Sequence, residues 1–240
     1  MQDPLIRYYR EHDDFLRYAI GNTERTKAIS KLYSENRQRF GTRVLDIACG
    51  GGVLGFVLEG KGHHYVGVDK NPDMIMKAKS YFSSPKSSSS IVLGDVKSIR
   101  LPGVFDTVAL LGNALIHFNV SELSKILKNL ERNVHVGTSF IAEYRDVVSI
   151  MFDGKWDKKY VERRGHRMVT SLTRGIEPRQ GEIVIDSSMK GQPPLKFAHA
   201  IWSPFIVESV MSGHSWKLAK RAPADDSYVW LDIYRKERAE

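Results

Sequence analysis

A glycine-rich segment is the first feature of the sequence that predicts chemistry. Residues 50–55 read Gly-Gly-Gly-Val-Leu-Gly and follow an apolar, β-branched run at 42–48. Glycines between a strand and a helix let a ligand approach the backbone closely, and the pattern alone fits a dinucleotide-binding turn. Asp69, at the end of the next apolar run, offers two carboxylate oxygens to the two hydroxyls of a ribose. Together the two features predict a ligand that contains adenosine.

Three further features favour S-adenosylmethionine over a dinucleotide. The strand before the glycines ends in Leu45-Asp46-Ile47-Ala48-Cys49, where a pyrophosphate turn has an earlier glycine. Asp95 closes the third predicted strand, where it could accept from an adenine amino group. Asn113 follows the fourth strand, where a methyl acceptor would lie, because ligands of open parallel sheets bind beyond the carboxyl ends of the strands. The alternative to a ligand site is that the glycines form only a tight turn and that Asp69 and Asp95 only cap helices. This alternative is less favoured, because the features occur in order on successive strand ends.

The elements that position these residues alternate between strand and helix. Such alternation implies an α/β, Rossmann-like doubly wound sheet with helices on both faces. After 144 the alternation stops, and residues 159–201 show period-two stretches broken by Gly and Pro, typical of antiparallel hairpins. The predicted strands are 42–48, 65–69, 90–95, 105–111, 138–144, 216–221 and 228–234, seven in all, and the main helices are 26–33, 53–59, 71–78, 120–132 and 204–212.

Composition limits the domain organisation and the class of protein. The chain has 240 residues and a net charge of +8, with 36 basic and 28 acidic residues scattered along it. Its single cysteine, Cys49, excludes an internal disulfide and a paired-cysteine zinc site, and we predict no metal. With no membrane-length apolar run and a charged start, we expect a cytoplasmic protein without membrane contact. The predicted parts are a helical arm at 1–40, a core at 41–154 and 202–240, and a hairpin lid at 155–201 inserted after the fifth strand.

The motifs resemble a known family. Val44–Gly52 with Val68-Asp69 is similar to the first two motifs of class I S-adenosylmethionine-dependent methyltransferases. Within that class, Phe105–Phe118 resembles the glycine N-methyltransferase and glycine/sarcosine methyltransferase group, whose fourth strand also runs into Leu-Gly-Asn with a His four residues later. Ile20–Thr26 resembles that group's lid segment. The likeness is strongest over 41–118 and implies S-adenosylmethionine as cofactor, a small-molecule methyl acceptor and assembly of copies through the N-terminal arm.

The resemblance also implies roles for individual residues in cofactor binding. These are Arg25 at the cofactor carboxylate, Ala48, Gly50 and Gly52 at the methionine part, Asp69 at the ribose, Asp95 and Val96 at the adenine, and Leu111 near the sulfonium.

On the acceptor side, the resemblance implies that Asn113 binds the substrate. The group places an Arg after the fifth strand to hold a substrate carboxylate, and Arg145 lies slightly out of register with it. Tyr18 is an equally shifted candidate for an aromatic hydroxyl of the arm, and Tyr160 of the insertion either reaches the acceptor or lies exposed. His117 is either the base that takes a proton from an ammonium substrate or a structural histidine. We therefore expect in-line methyl transfer to the nitrogen of a small amine or amino acid.

Other functions stay open. A nucleic-acid methyltransferase, acting on tRNA or rRNA, is the main alternative, because basic residues near Trp156 and Tyr160 could meet phosphates while a ring stacks on a base. A solvated lid surface explains the same residues. Methylation of an oxygen atom in a small acid or phenol would use the same fold and cofactor site. A regulator that binds the cofactor without catalysis is less favoured. The basic residues are Lys155, Lys158, Lys159, Arg163, Arg164 and Arg167.

Overall fold

A seven-stranded sheet forms the centre of the protein in a computed structural model, which describes residues 3–11, 20, 23–82, 89–164, 167–224 and 228–238. The strand order is β10-β11-β5-β4-β1-β2-β3, with β1 to β5 parallel and β11 antiparallel to both β5 and β10. The predicted fold class is confirmed. The strands of this sheet and of a second one are β1 (Arg43–Ile47), β2 (His64–Asp69), β3 (Ser90–Leu93), β4 (Phe105–Leu110), β5 (Val134–Arg145), β6 (Lys159–Arg164), β7 (Arg167–Glu177), β8 (Glu182–Met189), β9 (Leu195–Ala200), β10 (Trp216–Pro223) and β11 (Val229–Lys236).

Helices follow most strands of the main sheet, and local sequence signals fix where they begin. The Asn71 side chain accepts from the backbone N–H of Asp73, and Pro72 occupies the first helical turn, as the sequence predicts. Asn119 and Glu122 form a capping box. The helices are α1 (Pro4–Glu11), α2 (Thr23–Glu35), α3 (Val53–Leu58), α4 (Pro72–Tyr81), α5 (Val120–Leu130), α6 (Val147–Phe152) and α7 (Pro204–Ser212), and a short 3₁₀ helix spans Ala114–His117.

Apolar side chains pack on both faces of the main sheet. One buried cluster joins the sheet to α5 and α7, and the other joins it to α2, α3 and α4. Trp202 is fully buried in the first cluster, and its indole N–H donates to the carbonyl oxygens of Leu115 and Phe118 at 2.9 and 3.0 Å. Trp202 therefore anchors the segment after β4, which borders the functional site.

The inserted residues form a second, antiparallel sheet with the order β6-β7-β8-β9. Its own apolar cluster contains Ile183, Ile185 and Phe197 together with Val147, and Tyr8 of α1 packs against it. The Asn119 amide donates to the Glu182 carboxylate at 2.9 Å, which ties the sheet to the start of α5. The edge strand β9 contacts α1 and the 3₁₀ helix after β4, and β6 forms the opposite edge.

One helix of the described residues, α6, has no counterpart in the sequence prediction, and α1 lies in the predicted helical arm but was not placed there as a separate helix. The mixed aromatic and charged residues near the N-terminus form α1, and a single helical turn, α6, follows β5. Strand β5 also begins earlier than predicted, at Val134, because residues 134–137 lie largely outside the core and so lack the expected apolar pattern. None of the helices in the described ranges has the length and the apolar character that crossing a membrane requires.

Candidate active site

A cavity opens at the carboxyl ends of β1 to β4. Its open space, counted out to the solvent, is about 1020 Å³. Side chains of α1 and α2 cover it, among them Tyr9 and Ile29. The residues predicted to bind the cofactor that line this cavity are Arg25, Ala48, Gly50, Asp69, Asp95, Val96 and Leu111.

The glycine-rich turn brings backbone to the cavity wall. Ala48 and Gly50 both have left-handed φ angles, of 56° and 54°, and both line the cavity. Gly52 is not on the wall: it has a φ of 83° and precedes α3, and a Cβ there would lie 2.8 Å from the Phe82 ring. Gly52 therefore closes the turn and lets α3 pack, while Gly50 faces the cavity.

Asp69 joins the glycine turn to the end of β2. Its carboxylate accepts from the backbone N–H of Gly50 at 2.9 Å and of Asn71 at 2.8 Å. Burial raises the pKa of Asp69, and these backbone donors oppose the rise. A carboxylate has about four lone-pair positions, so Asp69 can also accept from the hydroxyls of a ligand.

Asp46 lies on the cavity wall, a placement that its position inside a buried strand did not predict. The Tyr65 hydroxyl donates to its carboxylate at 2.8 Å. Burial raises the pKa of Asp46 to about 7, reinforced by the charge of Asp69 and opposed by the Tyr65 hydrogen bond and by Arg25. The cavity wall therefore carries a carboxyl group that is only partly ionised at neutral pH.

Both cations of the described cavity wall form ion pairs. Arg25 makes a bidentate pair with Glu143, with N–O distances of 3.2 and 2.7 Å, and Glu143 also accepts from the Gly112 N–H at 2.6 Å. Lys70 pairs with Asp3, ahead of α1, at 2.6 Å. Sequence reasoning missed Glu143, whose only signal is a carboxylate inside an apolar strand.

His117 lies on the cavity wall and contacts α1. Its Nε2 is 2.6 Å from the Tyr9 hydroxyl, and its Nδ1 is buried without a hydrogen-bond partner. Burial lowers the pKa of His117 to about 3, and His199 and Lys70 add to this. The pKa of His199, whose ring centroid is 5.8 Å away, falls to about 4 by burial. Both imidazoles are therefore neutral at physiological pH, and His117 is a weak base.

Three acceptor-side candidates lie off the cavity wall. Asn113 has a φ of 58°, and its side-chain oxygen accepts from the Arg145 N–H at 3.0 Å, so it joins the ends of β4 and β5. The Arg145 side chain is exposed. Tyr160 is 49% exposed on β6, the edge of the second sheet away from the core. Tyr18 lies outside the described residues.

The basic residues of the insertion lie on an exposed surface. Lys158, Lys159 and Arg163 are exposed, and the Lys155 ammonium lies 5.0 Å from the centre of the Tyr228 ring. The side chains of Arg164 and Arg167 lie outside the described part of the structure. Within that part, no group of three or more His, Cys, Asp or Glu side chains is arranged to hold a metal ion.

Comparison with known proteins agrees with this geometry. Residues 44–137 match the family model described as a methyltransferase domain. A search of curated proteins found no match. Among solved structures, the PH0226 protein from Pyrococcus horikoshii OT3 is 24% identical with a TM-score of 0.72, and the match covers 96% of this chain and 99% of that chain.

Two further structures share the fold at lower identity. The CcbJ methyltransferase from Streptomyces caelestis is 13% identical, with a TM-score of 0.71 and coverage of 88% of this chain and 90% of that chain. The sugar N-methyltransferase KedS8 from Streptoalloteichus sp. ATCC 53650 is 16% identical, with a TM-score of 0.58 and coverage of 88% and 87%. At these identities the likeness concerns the fold, which is the class I methyltransferase fold.

Proposed function

We propose that this chain, whose residues 44–137 form a methyltransferase domain with S-adenosylmethionine as methyl donor, methylates the nitrogen of a small amine or amino acid. The observation that carries the proposal is one cavity in which a glycine turn, Asp69 and Asp95 lie on successive strand ends, with His117 beside them. The first three suit the cofactor, and His117 is proposed to face the acceptor.

The lining residues fit S-adenosylmethionine. Asp69 would hold the ribose, Asp95 the adenine amino group, and the backbone at Ala48 and Gly50 the methionine part. The Asp46 carboxylate complements the positive charge of the sulfonium and ammonium groups. Bound there, the cofactor supplies an electrophilic methyl group, so the protein's main task is to hold a nucleophile in line behind it.

His117 would act as a neutral hydrogen-bonding group toward the acceptor. With a pKa near 3, its imidazole does not retain a proton taken from an ammonium group, so the substrate's proton must leave to water. The buried Nδ1, which has no partner in the described structure, can instead orient the acceptor nitrogen. For an amino-acid acceptor such as glycine, Arg145 is the proposed carboxylate partner and would have to turn toward the cavity.

The test is methyl transfer from radiolabelled S-adenosylmethionine to small amines, amino acids and small acids, beside total RNA, with products separated by size. We expect label in an amine or amino acid. Label in a small acid instead would indicate transfer to oxygen. Label in RNA alone would contradict the proposal and make the exposed lysines of the insertion the binding surface.

Cofactor affinity is expected to fall about tenfold for each pH unit below about 7, because Asp46 must lose a proton before it can balance the bound cation. Calorimetric titration from about pH 5.5 to 7 measures this slope. In Asp46→Asn the affinity should be lower and depend less steeply on pH in that range, since His117 and His199 titrate below it. A wild-type affinity that is flat with pH would contradict the role given to Asp46.

Thermal unfolding of the unliganded protein provides an independent check. The folded pKa of Asp46 is raised above its unfolded value of 3.8, so its contribution to stability is complete below about pH 4 and is lost as the pH rises through about 7. Asp46→Asn should therefore be more stable than the wild type at about pH 8, with a smaller difference at about pH 5.

A further inference from the structure

We propose that the methyl acceptor is an amine that carries no carboxylate, and that it binds where a cluster of five aromatic side chains, two of which line the cofactor cavity, borders that cavity. This inference rests on the proposed function and narrows its substrate. The aromatic cluster consists of Tyr8 and Tyr9 of α1, His117 of the 3₁₀ helix, and Phe197 and His199 of β9.

The five rings form a closed circuit. Between ring centroids, Tyr8 and Tyr9 are 5.7 Å apart, Tyr9 and His117 5.7 Å, His117 and His199 5.8 Å, His199 and Phe197 5.1 Å, and Phe197 and Tyr8 4.7 Å. Three segments far apart in the sequence contribute them. Because Tyr9 and His117 also line the cavity, the aromatic cluster borders the space in which the methyl donor would bind.

The electrostatics of the aromatic cluster suit a cation. The faces of aromatic rings carry negative potential and attract ammonium and methylammonium groups. His117 and His199 are neutral, because burial lowers their pKa values to about 3 and 4. Both imidazoles therefore present rings without the positive charge that would repel an ammonium group.

The wall offers little to an acceptor carboxylate. Its two described cations, Arg25 and Lys70, already pair with Glu143 and Asp3, and Arg25 is also the group implied to meet the cofactor's own carboxylate. The wall further contains three carboxyl groups, which offer no attraction to an anion. The described carboxylates of the cavity are Asp46, Asp69 and Asp95. A cationic or neutral amine is therefore favoured over an amino acid.

Steady-state kinetics of His199 variants test the inference, because His199 belongs to the aromatic cluster but not to the cavity wall. The acceptors are methylamine, dimethylamine and ethanolamine, each compared with glycine, sarcosine and serine. We expect the amines to have kcat/KM values about tenfold higher or more. Loss of a ring in His199→Leu should raise KM for the amines about 3- to 30-fold, whereas His199→Phe should stay within about twofold.

Cofactor affinity should be unchanged in both variants, and Phe205→Leu, which alters a 75% exposed ring on α7, serves as the control. Preference for glycine, sarcosine or serine would overturn the inference while leaving methylation of a small nitrogen nucleophile intact. An unchanged KM for the amines in His199→Leu would also overturn it. If none of the six compounds accepts a methyl group, the proposed function itself fails and the inference falls with it.

Discussion

Replacing Asp69 with alanine is expected to weaken S-adenosylmethionine binding by about 100-fold or more. Hydrogen bonds to a charged group contribute about 1.5–3 kcal/mol each, and the ribose would lose two of them. The change also removes the acceptor for the Gly50 and Asn71 N–H groups, which lie 2.9 and 2.8 Å from the carboxylate. The glycine turn thus loses both a ligand contact and its link to β2.

Isothermal titration with S-adenosylmethionine measures this effect. Asp69→Asn keeps one acceptor oxygen and should lie between the wild type and Asp69→Ala. Asp157→Ala, at an exposed position of the insertion, is the matched control and should bind normally. The Asp69→Ala variant could unfold at the wild-type temperature and bind S-adenosylmethionine with an affinity within about threefold of the wild type. That result would show that Asp69 only supports the turn.

That most of the predicted cofactor-binding residues line one cavity could be predicted, because the information for their placement is local. Apart from Arg25 of α2, each predicted cofactor-binding residue lies at the end of a strand or shortly after it, and parallel strands place their carboxyl ends at one edge of the sheet. Three local features are sufficient to predict this arrangement: a buried apolar run, a glycine turn such as that at Gly50, and a carboxylate such as Asp69 at the end of the next strand. Gly52 lies off the cavity wall, and the sequence pattern does not distinguish a glycine that faces a cavity from one that packs against Phe82.

The acceptor side could not be predicted in the same way. Tyr9, His117 and His199 meet only because α1 crosses the cavity and β9 packs toward the core, and both depend on tertiary contacts between distant segments. The protonation states are also tertiary properties. Asp46 and His117 have ordinary sequence neighbours, and burial, which depends on the folded structure, is the largest cause of the shifts in their pKa values.

Replacing Arg221 with methionine is expected to lower the free energy of unfolding by about 3 kcal/mol, because it leaves the buried Asp232 carboxylate without its counter-charge. Asp232 is fully buried, and each of its oxygens lies 2.8 Å from a guanidinium nitrogen of Arg221. The hydroxyls of Tyr144 and Tyr234 also donate to it, both at 2.7 Å. Urea denaturation at neutral pH measures the loss.

A double-mutant cycle separates the uncompensated charge from lost packing. Asn at position 232 keeps an oxygen that can accept from Tyr144 and Tyr234 but carries no charge, so Arg221→Met with Asp232→Asn should be less destabilised than Arg221→Met alone, by at least about 1 kcal/mol. Equal losses of unfolding free energy in Arg221→Met and in the double variant would indicate that Arg221 stabilises the fold through its contacts with Glu208 and the Pro204 carbonyl. Because these residues lie off the cavity wall, folded protein of either variant should keep wild-type cofactor affinity.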